Sequence, residues 1–194
     1  MTKQSDIRIQ RTKQAIQNTL KDMILQLPYE KITIKALTQQ AQINRNTFYL
    51  HYDSLDDVLY EIQQNYTDKF MQLTKDYSFI DNQDELVKSF FTFMESQDDF
   101  FIKVTCDSRF DYIRERMQKK VTSQSYAASS DKSSPNRAIM NILREYSNVT
   151  LYLYRQWVTE GRQIPLDRMI ALASQLLNNG MNGAAKMIRE ILDE

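Results

Sequence analysis

The feature that most constrains this chain is its scarcity of the two residues that interrupt helices. Its 194 residues include only three Gly and three Pro. Loop-rich β-sandwiches and glycine-cradled nucleotide folds need more of both, so the composition argues against these classes. Hydrophobic residues make up 42% of the chain and include nine Phe and eleven Tyr, which excludes wholesale disorder. The sequence therefore predicts an all-α protein.

Apolar residues recur at helical spacing along most of the chain, as Ile16, Leu20 and Ile24 illustrate. The pattern predicts about nine to ten helices, over residues 12–27, 33–41, 45–51, 54–73, 83–96, 98–120, 137–160, 166–178 and 181–192. Residues suited to capping stand at several ends of these segments, namely Thr33, Asn44, Asp53 or Ser54, Asp98 and Gly161. The Ser-rich stretch 122–135 is predicted to be a flexible loop.

Charge is distributed unevenly although the net charge is zero. Residues 1–50 carry eight Lys or Arg against three Asp or Glu, so the remainder of the chain is acidic by the same excess of five. A basic end on an acidic body indicates a polyanionic partner for that end. A Lys-rich end with no partner explains the charge equally well.

Several classes of site find no support in the sequence. Cys106 is the single cysteine, which leaves no intrachain disulfide and no Cys-based zinc site. His51 is the only histidine, and no phosphate-binding glycine loop occurs, so we expect no enzyme activity, no metal and no cofactor. The polar first 15 residues and the polar charge-free run 169–185 predict a cytoplasmic protein that does not enter membranes.

The two short helices predicted within residues 33–51 are separated by about three residues, which is the spacing of a helix-turn-helix. In that motif the first turn of the second helix reaches base edges in the major groove of DNA. Arg45, Asn46 and Thr47 stand there, with groups that suit guanine, adenine and the thymine methyl respectively. The residues suited to phosphate oxygens are Thr33, Tyr49 and His51.

Residues 8–62 resemble the N-terminal part of the tetracycline-repressor (TetR) family of transcriptional regulators. The matching positions are Thr33, Leu37, Ala41, Ile43, Thr47-Phe48-Tyr49, His51-Tyr52 and Asp56-Asp57-Val58-Leu59. Three positions depart from the pattern. Gln42 replaces the turn glycine, which predicts a left-handed residue at a cost of about 1 kcal/mol. Asn46 replaces a small residue, and Leu55 replaces a frequent phosphate-binding Lys.

The resemblance implies a helix-turn-helix DNA-binding domain over residues 1–53 and a helical regulatory and dimerisation domain over residues 54–194. It also implies that basic residues ahead of the first helix form an arm that approaches the minor groove. The DNA-binding residues predicted in this way and from the motif are Arg8, Arg11, Thr33, Lys35, Arg45, Asn46, Thr47, Tyr49 and His51.

The expected function is a homodimeric regulator, most simply a repressor, that binds a palindromic operator in double-stranded DNA and is released by a small-molecule effector. The helices over 137–160 and 166–178 are predicted to form the dimer surface. An aromatic ligand site is implied at Phe90, Phe93, Phe101, Tyr112, Tyr146 and Trp157, although such residues are more often plain core and Trp157 also suits the dimer interface. The alternative is a helical protein-interaction module or a cofactor-free enzyme, in which residues 33–51 are two ordinary short helices.

Overall fold

The computed structural model describes residues 3–77, 81–116 and 135–193, and all the regular structure in this part is helical. The described part contains nine α-helices: α1 (Lys3–Gln26), α2 (Ile34–Gln40), α3 (Arg45–Tyr49), α4 (Leu55–Leu73), α5 (Gln83–Glu95), α6 (Asp99–Cys106), α7 (residues 111–116), α8 (Pro135–Thr159) and α9 (Leu166–Asp193). Short 3₁₀ turns cover Tyr29–Lys31 and Ser108–Phe110. The predicted all-α fold is confirmed.

The chain divides into two compact units. The first comprises Met1–Asp68 with Asp98–Met117, and the second comprises Lys69–Gln97 with Gln118–Glu194. These two units are defined by packing within the chain. The predicted boundary at residue 53 instead separates a DNA-binding domain from a regulatory domain, and it stays a prediction.

The caps expected from the sequence form in both units. The Ala36 amide donates to the Thr33 hydroxyl at 3.1 Å, and the Asn46 amide donates to the Asn44 side chain at 2.8 Å. Each bond satisfies an amide that the first turn of a helix leaves without a partner. Three further predicted caps also form, at Ser54, at Asp98 and at Gly161, where φ is 76°.

The first helix begins nine residues earlier than predicted, at Lys3 instead of residue 12. Its first turns carry no apolar stripe because Ile7, Arg8 and Arg11 are exposed, so hydrophobic periodicity does not reveal them. Lys, Gln and Arg are good helix formers, and no Gly or Pro interrupts this stretch. Arg8 and Arg11 therefore lie on α1, and the prediction of an arm ahead of the first helix is wrong.

Two other predicted helix boundaries are also wrong. The helix expected over 98–120 ends at Cys106, because extended Asp107 accepts a hydrogen bond from the Arg109 amide at 3.0 Å and starts a new turn. The helices expected over 166–178 and 181–192 are one helix, α9, which passes through Gly180. The Ser-rich stretch 122–135 lies outside the described residues except for Pro135, which opens α8.

Helix α9 is in close contact with α8 near Gly180. The Tyr146 hydroxyl donates to the Leu177 carbonyl at 2.7 Å. A Cβ atom at Gly180 would lie 2.7 Å from that hydroxyl oxygen, so a larger residue there would force Tyr146 to shift. Gly180, which lies between the two predicted helices, thus leaves room for Tyr146 of α8 against α9.

In the first unit α1 contacts both α2 and α6, and its inward face forms the core. The largest fully buried side chains of this unit are Ile16, Leu20, Ile24, Leu37, Phe48, Leu59, Ile62, Phe100 and Ile113. In the second unit α5, α8 and α9 pack together around Phe91, Tyr154 and Trp157. The buried Tyr154 hydroxyl donates to Glu95 at 2.6 Å, and Arg162 pairs with the same carboxylate at 2.9 Å.

A polar network joins α1, α4 and the N-terminus of α6. The Lys21 ammonium donates to the Tyr66 hydroxyl at 2.6 Å and to Asp98 at 2.9 Å, and Tyr66 donates to Asp98 at 2.8 Å. Partial burial by itself raises the pKa of Asp98. Hydrogen bonds from Lys21, the Phe101 amide and Tyr66 outweigh it and hold the pKa below its usual value.

This network makes stability depend on pH in a stated direction. Since the pKa of Asp98 is lower in the folded state, its contribution is present above the unfolded-state pKa and is lost as pH falls through the folded-state pKa. Asp98→Asn keeps a capping oxygen but removes the charge, so we expect it to cost about 1 kcal/mol or less at neutral pH. Urea denaturation of both proteins should show this difference shrinking as pH falls below the unfolded-state pKa of Asp98. A constant difference would contradict the charge-based assignment.

Candidate nucleic-acid interface

The turn between α2 and α3 is closed by hydrogen bonds of a specific helix-ending motif. The Gln42 amide donates to the Gln39 carbonyl at 3.2 Å, and the Ile43 amide donates to the Thr38 carbonyl at 3.0 Å. This pair of bonds defines a Schellman motif, whose C′ residue takes the left-handed conformation and is usually glycine. Here it is Gln42, with φ of 54°, so the predicted left-handed residue is confirmed.

The strain at Gln42 provides a direct test of the turn. Gln42→Gly removes the left-handed penalty but adds freedom to the unfolded chain, and we expect a net gain of about 0.5–1 kcal/mol in the free energy of unfolding. Gln40→Gly, in the last turn of α2, is the matched control and should cost about 1 kcal/mol. Chemical denaturation measures both, and a loss of stability in Gln42→Gly would contradict the strained conformation.

Helix α3 is only five residues long and has one inward side chain. Phe48 is fully buried, and its ring lies 5.5 Å from the Tyr49 ring and 5.9 Å from the Tyr52 ring. Arg45, Asn46 and Tyr49 are exposed. The packing of Phe48 thus holds the helix against the unit and leaves these polar side chains in solvent.

The other predicted DNA-binding residues differ in their exposure to solvent. Thr33, at the N-terminus of α2, and Lys35 are exposed, whereas Thr47 and His51 are half-buried. The Thr33 hydroxyl accepts from the Ala36 amide and keeps its own proton free to donate. Because α2 contacts α3, the structure brings the two helices of the predicted motif together.

Arg45 and Tyr49 form a pair on one face of α3. The Arg45 guanidinium donates to the Tyr49 hydroxyl at 3.1 Å, and its central carbon lies 5.5 Å from the centre of the ring. One N–H of five is used, so the remaining donors stay available for a bidentate contact. Sequence reasoning missed this pairing, although the i, i+4 spacing of the two residues is the signal that could have revealed it. The contact with Tyr49 restricts the conformations of the Arg45 guanidinium before any ligand binds.

Behind α3, a second network ties α1 to α4. The Tyr52 hydroxyl accepts from Gln17 at 3.0 Å, and the Lys13 ammonium pairs with Glu61 at 2.7 Å. Burial, together with the charge of Glu61, raises the pKa of Tyr52 to about 12 against the opposing bond from Gln17, so this tyrosine is neutral at ordinary pH. Tyr52, whose ring contacts Phe48, is thus held by a hydrogen bond as well as by apolar contacts.

The first turn of α4 is fixed by residues from two other segments. The Asp56 carboxylate accepts from the Tyr29 hydroxyl at 2.6 Å and from the Tyr112 hydroxyl at 2.7 Å. Arg116 donates to Asp57 at 2.9 Å. Burial and the bond to Asp56 raise the pKa of Tyr112 above its usual value. Tyr112, predicted as a ligand-binding residue, therefore has an intrachain partner.

The six aromatic residues of the predicted ligand site are divided between the units. Phe101 and Tyr112 belong to the first, and Phe101 packs against Tyr66 with ring centres 4.4 Å apart. The other four belong to the second, where Phe90 and Phe93 contact the Phe70 ring. The Trp157 indole donates to the Ile164 carbonyl at 2.7 Å, so both its ring and its polar atom are packed within its own chain. These contacts favour the core interpretation; the ligand assignment stays a prediction.

Comparisons with known proteins give no family: no family model matches the chain, and no curated protein matches it. Across the described ranges, no helix has the length and apolar character needed to cross a bilayer. Within the same ranges, His, Cys, Asp and Glu side chains do not gather in threes as a metal site requires. The geometry of α2 and α3 is therefore the strongest indication of function.

Proposed function

We propose that this protein is a TetR-like transcriptional regulator that binds operator DNA as a homodimer through α2 and α3. The observation that carries the proposal is the Schellman turn at Gln42, which leads into a capped α3 with one buried ring, Phe48, and an exposed face bearing Arg45, Asn46 and Tyr49. A helix of this kind presents its N-terminal side chains to base edges in the major groove. The proposed cellular location is the cytoplasm, where such a regulator meets DNA.

The chemistry of the exposed face suits double-stranded DNA. Arg45 offers a guanidinium fork to guanine, and Asn46 offers a carboxamide to adenine. Lys35 and the Thr33 hydroxyl are exposed at the start of α2, where they suit phosphate contacts that position the motif without reading sequence. Arg8 and Arg11 add exposed positive charge along α1.

An exposed apolar surface on α8 and α9 supports the proposed dimer. On α8, Ile142 is 67% exposed and Tyr152 63% exposed, with Val149 between them on the same face. On α9, Leu172 and Leu176 are exposed one turn apart. Apolar side chains in this number on two packed helices indicate a partner, and two copies would bury them in a four-helix bundle.

The dimer proposal predicts the effect of one charge. Leu176→Glu places a carboxylate in the proposed bundle, and we expect the protein to become a monomer in analytical ultracentrifugation with little change in its helix content. Leu73→Glu is the matched control, because Leu73 is 56% exposed and Leu176 is 55% exposed. A dimer that persists in Leu176→Glu would contradict the proposed surface.

Regulation by a small molecule completes the proposal. An effector releases DNA only if it binds one conformation of the dimer more tightly than the other, and the two ligands then weaken each other's binding equally. The repressor role follows if the bound operator overlaps a promoter. A screen for compounds that lower operator affinity identifies the effector once an operator is known.

The deciding experiment is selection from random double-stranded DNA by the purified protein, followed by titration of the enriched sequence at two salt concentrations. We expect one near-palindromic consensus with half-sites roughly 34–36 Å apart. Its affinity should exceed that of scrambled DNA by about 10³ or more and should fall steeply with salt. Equal and weak binding to all fragments would reject the proposal in favour of a helical interaction module.

A further inference from the structure

Leu50 is an apolar side chain that the fold leaves in solvent. It is 80% exposed, more than any other large hydrophobic residue of the described chain, although it lies two residues from fully buried Phe48. It caps the C-terminus of α3 with helical backbone angles, so its side chain continues the surface of that helix. Burial within the first unit gives no reason for leucine here.

The position of Leu50 on α3 indicates what its side chain meets. Residues four apart share a helix face, so Leu50 lies one turn from exposed Asn46, just as Tyr49 lies one turn from Arg45. Asn46 and Leu50 are each two residues from Phe48, which places them on the side of α3 turned away from the buried ring. The outermost strip of the helix therefore carries one amide and one isobutyl group.

Base edges in the major groove offer one prominent apolar group, the C5 methyl of thymine. We propose that Leu50 contacts a thymine methyl group in each operator half-site and makes that position selective for A·T. This inference rests on the proposed function, because it requires α3 to lie in the major groove. It adds to the motif a specificity-determining residue whose contact is apolar, beside the polar groups of Arg45 and Asn46.

Uracil differs from thymine only by this methyl group, so uracil substitution tests the contact directly. The operator selected by the wild-type protein is synthesised with each thymine replaced in turn by deoxyuridine. For the wild-type protein we expect at least one thymine in each half-site at which the replacement lowers affinity about fourfold, because burying one methyl-sized group contributes about 0.8 kcal/mol. For Leu50→Ala the same replacement should have no effect, and affinity for the thymine operator should already be lower.

Two further variants keep the test specific. Leu50→Met retains an apolar chain of similar length and should preserve the sensitivity to uracil. Leu25→Ala removes the same atoms from an exposed leucine of α1 and should behave as the wild type. Circular dichroism confirms that each variant folds, as expected for exposed positions.

The outcomes separate this inference from the proposed function. A selected operator with no uracil-sensitive thymine, or one with equal sensitivity in wild type and Leu50→Ala, overturns the role of Leu50 while DNA binding stands. Unchanged affinity of Leu50→Ala for the thymine operator would overturn that role as well. Failure to select any sequence overturns the proposed function and this inference together.

Discussion

Arg45→Ala is expected to fold as the wild type does and to lose most sequence-specific DNA binding. Arg45 is exposed, and the contact that the structure shows for its guanidinium is the pair with Tyr49, so truncation removes no core packing. A bidentate arginine–guanine contact contributes about 1–3 kcal/mol of discrimination, which corresponds to roughly 5- to 150-fold in affinity. Since the proposed homodimer would read two half-sites, the loss should be the product of two such factors.

Fluorescence anisotropy with the selected operator measures this effect, with scrambled DNA as reference. The variant should bind both DNAs at nearly the affinity that the wild type shows for scrambled DNA, because most phosphate contacts persist. Lys88→Ala removes one exposed positive charge from the second unit and is the matched control. If Arg45→Ala kept tight binding and the same consensus, α3 would not be the reading helix.

The Tyr49 hydroxyl allows this prediction to be refined. If Tyr49 acts by holding the guanidinium, then Tyr49→Phe weakens binding in the wild-type background but adds little in the Arg45→Ala background. If the hydroxyl binds a phosphate independently, the two losses add. The 3.1 Å bond between the two side chains favours the first result. A double-mutant cycle on the same operator distinguishes the two roles.

Local signals make the helix-turn-helix predictable from sequence. Thr33, Asn44 and Ser54 cap helices through bonds that span two or three residues, so the sequence near each residue contains all the required information. These caps depend little on the rest of the fold. The left-handed conformation of Gln42 is predictable only through the turn glycine that the resemblance to the TetR family implies at this position, because glutamine itself does not favour it.

Sequence patterns mislead where distant parts of the chain decide the structure or where the apolar signal is absent. Gly180 lies within α9, and the absence of a side chain there leaves space for Tyr146 of α8, a contact that the sequence near Gly180 does not reveal. Near the start of α1, Ile7, Arg8 and Arg11 are exposed, so hydrophobic periodicity does not predict this part of the helix. The partners of the predicted ligand-site residues, such as Ile164 for Trp157 and Asp56 for Tyr112, depend on tertiary packing that periodicity does not contain.

Phe48→Ala should destabilise the first unit far more than any truncation on the exposed face of α3. The Phe48 side chain of α3 is fully buried, and its ring packs against that of Tyr52. Removing a buried phenyl ring costs about 3–5 kcal/mol, through lost apolar contact and the cavity left behind. A domain of ordinary stability has about 5–15 kcal/mol in total, so this one change removes a large part of it. Urea denaturation followed by circular dichroism measures the loss.

Leu50→Ala is the natural control for Phe48→Ala, since it truncates an exposed residue beside the same helix and should change stability by about 0.5 kcal/mol or less. Phe48→Leu should recover most of the lost stability because it refills much of the cavity. A cost below about 1 kcal/mol for Phe48→Ala would contradict the packing described for α3.

The connection from this ring to recognition follows from the length of α3. A five-residue helix is far too short to be stable by itself in water, so its conformation is supplied by tertiary contacts. Phe48 is its one fully buried side chain, and the ring of Phe48 also contacts Tyr49, which holds Arg45. Under the proposed function, Phe48→Ala should therefore abolish selective DNA binding by disordering α3, whereas Arg45→Ala should remove most of it with α3 intact. The two variants should differ in their free energy of unfolding. Denaturation and binding curves together therefore distinguish Arg45, which is proposed to contact DNA, from Phe48, which is proposed to hold α3 in place.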